Sequence, residues 1–277
     1  MNKILVPVDF SAASDWGFYY AYHLAQEFDG EIIVAHIYEE QSIDPNVQSY
    51  KKQDILDAQR DVLAVALRSA TVAPKGSKKK VSVKYVLEPE DHRSIAAIAK
   101  DHEVELIIMG THGAGGAWEK LWGTYTSAVI EEAECPVLAI PSGVQYSKIE
   151  SVAYATNFDI GDIEVLKKMA SFAGLIGAPL HCIHINVLSD PTHADDEKAF
   201  KELFKKTFEN FDADYTLRAS ISVEDGLETF LRVNNISILS MLTHKRTLWE
   251  SLFGVASATR TMALETKIPL LAFHKGS

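Results

Sequence analysis

An internal repeat constrains this chain more than any other feature of its sequence. Segments of the second half match segments of the first in the same order, at an offset that stays constant over the first 37 residues, since 157 − 9 and 184 − 36 both equal 148. The matching pairs are Val6–Phe10 with Tyr154–Phe158, His36-Ile37 with His184-Ile185, Trp118–Gly123 with Trp249–Gly254, and Cys135–Ile140 with Ile268–Phe273. We therefore predict two homologous domains, residues 1–143 and 148–277, joined by a short polar connection.

Each half alternates short apolar runs with helical periods. The apolar runs of the first half are Ile4–Val8, Glu31–Ile37, Val81–Leu87, Leu106–Met109 and Val137–Ile140. Such runs are typical of parallel strands that are covered on both faces. Apolar residues recur at helical spacing in Ser11–Phe28, Ser49–Ser69, Asp91–Asp101 and Tyr125–Ala133. The alternation predicts an α/β fold of two tandem doubly wound parallel-sheet domains, in which ligands bind beyond the carboxyl ends of the strands, where the strand order switches.

Composition excludes several classes of partner. The 277 residues are 47% hydrophobic and 23% charged, which suits two globular domains. A formal net charge of −11 argues against non-specific binding to nucleic acid or to an anionic membrane, because both need positive potential. No run of about 18 apolar residues and no signal-like segment is present, so we expect a cytoplasmic protein with no membrane partner.

Glycines recur at fixed spacing after the fourth apolar run. Gly110 and Gly113 follow Leu106–Met109, and nine residues separate Gly113 from Gly123-Thr124. Glycine lets a phosphate approach bare backbone, and the backbone N–H groups at a helix start bind anions. The segment therefore predicts a phosphate cradle. Asp9, at the end of the first run, can contact a base or ribose or help to hold a cation, and its alternative role is an N-cap or Asx turn.

Three segments together resemble the universal stress protein family: Ile4–Ser11, Met109–Thr124 and Glu134–Pro141. The resemblance implies an adenine nucleotide alpha hydrolase-like, Rossmann-like fold that binds ATP, or ADP or AMP, with Mg or Mn on the phosphates. The residues that it implies for the base and ribose are Pro7, Val8, Asp9 and Ile37. Those that it implies for the ribose and phosphates are Met109, Gly110, Gly113, Gly123, Thr124 and Tyr125. The resemblance also implies pairing through the last strand of each domain, hence an intrachain pseudo-dimer and a homodimer of chains.

The second half departs from this pattern at the same positions. Asn157 replaces Asp9, Leu242 replaces Gly110, Lys245 replaces Gly113 and Val255 replaces Thr124. Because larger side chains stand where phosphates would lie, we predict that the second domain does not bind ATP in the family manner. Lys245 and Arg246 could still contact a small anion, and the alternative for this basic pair is a solvated loop.

No catalytic set emerges from the sequence. A Walker A lysine, a nucleophile elbow and a dinucleotide glycine motif are all missing, so we expect little or slow hydrolysis. The predicted function is that of an ATP-binding stress-response regulatory protein that acts through an unidentified protein partner. The alternative is a nucleotide-dependent hydrolase or nucleotidyl transferase, for which His112 and Lys120 are the candidate residues. The repeated histidines, His36 and His184, are predicted to donate to a nearby carbonyl rather than to catalyse.

Overall fold

The computed structural model describes residues 3–38, 81–89, 94–111, 124–159, 161–188, 194–243 and 268–274, with the isolated positions 57, 60, 61, 63 and 64. These residues divide between Tyr146 and Ser147 into two compact units, which we call the first and second unit. The predicted helix Ser49–Ser69 falls almost entirely outside the described residues. The predicted site or candidate residues His112, Gly113, Lys120, Gly123, Lys245, Arg246 and Val255 also lie outside them.

The first unit is a doubly wound parallel sheet. Its elements are β1 (Lys3–Pro7), α1 (Ala12–Phe28), β2 (Glu31–Tyr38), β3 (Ser82–Pro89), α2 (Ile95–Asp101), β4 (Leu106–Thr111), α3 (Thr124–Glu132) and β5 (Val137–Pro141). The strand order is β3-β2-β1-β4-β5, and each neighbouring pair is parallel. The chain therefore moves outward from β1 to β3 and then returns to the other side of β1, so that the strand order switches between β1 and β4.

The second unit repeats this topology. Its elements are β6 (Val152–Ala155), α4 (Asp162–Ile176), β7 (Leu180–Val187), α5 (Ala194–Thr207), β8 (Ala213–Ser220), α6 (Val223–Val233), β9 (Ile238–Thr243) and β10 (Leu270–His274). Its parallel strands are ordered β8-β7-β6-β9-β10, which places the switch between β6 and β9. The predicted α/β fold of two tandem doubly wound domains is confirmed.

The strands form because continuous apolar runs are covered on both faces. Ile4, Leu5 and Val6 of β1 are at most 1% exposed, as expected for the centre of a parallel sheet. Helix α1 begins where the Ser11 hydroxyl accepts a hydrogen bond from Ser14 N at 3.2 Å. It ends at Asp29, which has the left-handed φ of 57° that closes many helices.

The turn that follows the first strand is the same in both units. His36 Nδ1 donates to the Val8 carbonyl at 2.7 Å, and His184 Nδ1 donates to the Thr156 carbonyl at 2.8 Å. The predicted structural role of both histidines is confirmed. The repeat that the sequence shows is therefore a repeat of hydrogen bonds as well as of residue types.

Candidate functional site

A cavity of about 320 Å³ lies where β1 and β4 end, at the switch in strand order of the first unit. It is lined by Pro7, Val8, Asp9, Ser11, Ser14, Ala35, Ile37, Ile95, Met109, Gly110, Thr111, Tyr125 and Thr126. Sites for small molecules usually have volumes of about 300–1,000 Å³ and occur at such switch points. The cavity therefore has the size and place expected of a ligand site.

The structure brings seven of the ten predicted site residues together around this cavity. They are Pro7, Val8, Asp9, Ile37, Met109, Gly110 and Tyr125. Thr124 is the first residue of α3, whereas Gly113 and Gly123 lie outside the described residues. The contact of these residues with a nucleotide stays a prediction.

Hydroxyl groups in the wall were missed by the sequence analysis. The lining residues that it did not single out are Ser11, Ser14, Ala35, Ile95, Thr111 and Thr126. Apart from Ala35, which lies within β2, they could have been found from the sequence, because each lies at the carboxyl end of a strand or at the start of the helix that follows one. A doubly wound sheet brings all such positions to one edge.

Three helices begin at the cavity, and two of them contribute polar residues, since α2 contributes only Ile95. Ser11 and Ser14 belong to the start of α1, and Tyr125 and Thr126 belong to the first turn of α3. The N-terminus of a helix carries a partial positive charge, and its free N–H groups favour anions. This part of the wall therefore favours a negatively charged group.

Asp9 supplies a carboxylate at the mouth of the cavity. Its Oδ1 accepts a hydrogen bond from Ser11 N at 3.0 Å, so the Asx turn weighed as an alternative role is present. Burial raises the pKa of Asp9, but hydrogen bonds from Ser11 and Ser14 outweigh it and leave the pKa below its ordinary value. The ionised carboxylate accepts hydrogen bonds, which suits the hydroxyl or amino group of a ligand rather than its phosphates.

Gly110 is needed for packing as well as for the shape of the wall. A Cβ at this position would lie 1.6 Å from the carbonyl oxygen of Ala13, in α1. A Cβ at Gly17 would lie 2.4 Å from Gly110 N. Helix α1 is thus pressed against β4 backbone to backbone, a reason for glycine that the phosphate-cradle interpretation did not include.

The equivalent space in the second unit is nearly filled. A cavity of about 40 Å³ remains there, which is room for about one water molecule. The constant offset and the strand register place Ile183 at the position of Ala35, Leu242 at that of Gly110, and Asp162 at that of Ser14. All three larger side chains line the small cavity.

A buried hydrogen-bond network occupies this part of the second unit. Tyr154 Oη donates to Asp162 Oδ1 at 2.7 Å, and Thr156 Oγ1 donates to Asp162 Oδ2 at 2.5 Å. Asp162 is 1% exposed. Burial raises its pKa above the ordinary value, and the two hydroxyl donors only partly oppose that shift. The second unit thus has polar groups of its own where the first unit has open space.

The part of the chain that the structure describes contains no group of three or more histidine, cysteine, aspartate or glutamate side chains placed to hold a metal ion. Within the same residues, every helix is too short or too polar to span a lipid bilayer.

Comparison with known proteins identifies the class. The sequence profile of the universal stress protein family matches residues 1–141, so the chain belongs to that family. A universal stress protein of Methanocaldococcus jannaschii is 28% identical over 162 residues, which cover 50% of this chain and 94% of the relative. One from Bacillus subtilis is 28% identical over 145 residues, covering 50% of this chain and 98% of the relative.

A solved structure extends the fold to the whole chain. The crystal structure of a universal stress protein from Archaeoglobus fulgidus covers 99% of this chain and 98% of its own, with a TM-score of 0.66 and 16% identity. At that identity the likeness concerns the fold, and it spans both units.

Proposed function

We propose that this chain is an ATP-binding stress-response regulatory protein whose first unit alone binds a nucleotide. The observation that carries the proposal is the contrast between two equivalent places, a cavity of about 320 Å³ in the first unit and one of about 40 Å³ in the second. Family membership supports an adenine nucleotide as the ligand, either ATP or its products ADP and AMP.

The cavity wall offers a partner for each part of such a ligand. Val8, Ile37 and Met109 provide apolar surface for the base. The Asp9 carboxylate accepts hydrogen bonds from ribose hydroxyls or from the base amino group. The phosphates would face the helix starts and the glycine segment, accompanied by Mg or Mn, whose neutralising charge the phosphates would need beside Asp9.

Calorimetric titration of the full chain with ATP tests the proposal. We expect one site per chain, and we expect Ala35→Ile to abolish binding because it fills the cavity with the side chain found at position 183. The matched control is Ile183→Ala, which should leave the stoichiometry and affinity unchanged. Two equivalent sites, or full binding by Ala35→Ile with an unchanged melting temperature, would contradict the proposal.

We propose little or slow hydrolysis. The described lining consists of apolar groups, hydroxyls and the Asp9 carboxylate, which can hold a nucleotide but offer no cation to stabilise phosphoryl transfer. The alternative, a hydrolase or nucleotidyl transferase, predicts many turnovers per minute in a phosphate-release assay. A rate at the level of a chain that carries Ala35→Ile would exclude that alternative.

Regulation would act through a partner that distinguishes the free from the nucleotide-bound chain. Affinity capture from extracts with and without ATP tests this point, because a regulatory partner must respond to the nucleotide. The cytoplasmic location, the homodimer and the pairing of last strands stay predictions. Light scattering of the purified chain tests the homodimer.

A further inference from the structure

Positions 14 and 162 are equivalent places that carry side chains of different chemistry. Each follows a phenylalanine by four residues, and these phenylalanines share an unusual left-handed backbone, with φ of 62° at Phe10 and 67° at Phe158. Ser14 lines the large cavity of the first unit and Asp162 lines the small cavity of the second. Both are buried. One fold therefore presents a neutral hydroxyl in one copy and a carboxyl group in the other.

The carboxyl group of Asp162 is held by its neighbours. Its two hydroxyl donors, Tyr154 and Thr156, lie on and just after β6. At the same offset the first unit has Val6 and Val8, whose side chains cannot donate a hydrogen bond. The three differences belong together, because a buried carboxyl group is tolerated only where donors satisfy it.

The first unit already has a carboxylate beside position 14. The Ser14 hydroxyl donates to the Ser11 carbonyl at 2.9 Å, and Ser14 is among the neighbours that lower the pKa of Asp9. A second carboxylate at this position would repel Asp9 and any phosphate that approaches the start of α1, and no side-chain hydroxyl on β1 would compensate.

We propose that Ser14 determines whether this cavity accepts an anionic ligand. Its small neutral hydroxyl keeps the start of α1 open to a phosphorylated ligand, whereas the carboxyl group at the equivalent position closes the second unit to anions. The inference rests on the proposed function, since it names the residue that gives the same cavity its selectivity for charge.

Substitution at position 14 tests the charge directly. Titration of the full chain with ATP should show that Ser14→Asp weakens binding roughly tenfold or more, because a like charge is added at contact distance. Asparagine is nearly the same size as aspartate but carries no charge. We therefore expect Ser14→Asn to bind ATP with an affinity within about threefold of the original. Adenosine lacks phosphates, so the two variants should bind it alike.

A second variant guards against misfolding. Ser14→Asp combined with Val6→Tyr and Val8→Thr supplies the donors of the second unit, so it should fold, as judged by circular dichroism, and still fail to bind ATP. If either folded Asp variant bound ATP at the original affinity, the inference about Ser14 would be overturned, but the proposed function would stand. Equal weakening of adenosine and ATP would do the same, since it would show a steric effect. If the unaltered chain bound no nucleotide, the proposed function would fail together with the inference.

Discussion

The two units share a backbone plan and differ in the space that it encloses. The strand order, the parallel pairing, the histidine-to-carbonyl hydrogen bond and the left-handed phenylalanine recur in both. The volume at the switch point nevertheless falls from about 320 Å³ to about 40 Å³. The shared fold therefore does not by itself determine the volume of this cavity. A few side chains that project from strand ends and from the first turn of one helix decide whether a cavity exists.

The helix after the first strand shows how the difference is built. In the first unit, Gly17 and Gly110 let α1 lie against β4 at backbone contact. In the second unit, Val165 and Leu242 stand at those positions, and α4 stays farther from β9 than α1 does from β4. There the small residue is Gly161, whose Cβ would lie 3.0 Å from Leu242 Cδ2. In each unit a small residue therefore lies at the contact between this helix and the strand, but at a different position of the helix.

The largest effect is expected where the first unit is tightest. Gly110→Ala should destabilise the first unit by about 3 kcal/mol, because its Cβ would overlap the Ala13 carbonyl oxygen and force α1 away from β4. Urea denaturation combined with hydrogen exchange of the α1 peptide measures the loss. Adding Ala13→Gly should not restore stability, since the clash is with backbone. A stable Gly110→Ala protein with normal exchange in α1 would contradict the close packing.

The next largest effect is expected in the network of the second unit. Asp162→Ala leaves the hydroxyls of Tyr154 and Thr156 without their acceptor, and we expect a loss of about 2 kcal/mol. Ser14→Ala, its counterpart, removes a hydrogen bond to the Ser11 carbonyl and should cost less than about 1 kcal/mol. Urea denaturation of both variants provides the comparison. Equal losses would show that the network contributes no more than the single bond of the first unit.

The pH dependence of stability should have opposite signs at the two carboxyl groups. Because folding raises the pKa of Asp162 above 3.8, the stability that its neutral form contributes is present below that pH and is lost as pH rises through the raised pKa. Because folding lowers the pKa of Asp9, its contribution is present above 3.8 and is lost as pH falls through the lowered pKa. The free energy of unfolding, measured from below pH 3 up to pH 7, should therefore change its slope against pH in opposite directions in Asp162→Asn and Asp9→Asn, above pH 3.8 for the first and below it for the second. Slopes of the same sign would contradict the assignment.

The sequence predicts much of the difference between the two units, but not the packing contacts that cause it. Short apolar runs predicted the strands within one or two residues, because a parallel sheet needs continuous apolar segments. The substitution of Leu242 for Gly110 indicated a smaller second site. The close backbone contact between Gly110 and Ala13 could not be predicted, because it joins residues 97 positions apart (110 − 13 = 97). The donors of Asp162 were also missed, since tyrosine and threonine in a strand are common for other reasons.

A smaller effect should distinguish the N-caps of α2 and α6, the helices that precede β4 and β9. Ser94 Oγ accepts a hydrogen bond from Ala97 N at 3.3 Å on the surface, whereas buried Ser222 accepts from Asp225 N and also donates to the Asp225 carboxylate at 2.7 Å. Ser222→Ala should cost about 1.5 kcal/mol and Ser94→Ala about 0.5 kcal/mol. Thermal unfolding of both variants measures the difference, and a larger loss at Ser94 would contradict it.

The smallest expected effect is a gain in stability, and it concerns α1 and α4, the helices that follow the first strand of each unit. Gly174 lies exposed in α4, and a Cβ there would meet no atom within 4 Å. Gly174→Ala should therefore stabilise the second unit by about 0.5–1 kcal/mol, because alanine loses less backbone freedom in a helix. Gly17→Ala, the same change inside α1, should instead destabilise the first unit, since its Cβ would lie 2.4 Å from Gly110 N. Opposite shifts in the urea midpoint would show that glycine is required only where helix and strand touch. A gain in both variants would mean that α1 is free to move away from β4, and the cavity wall would then owe nothing to that contact.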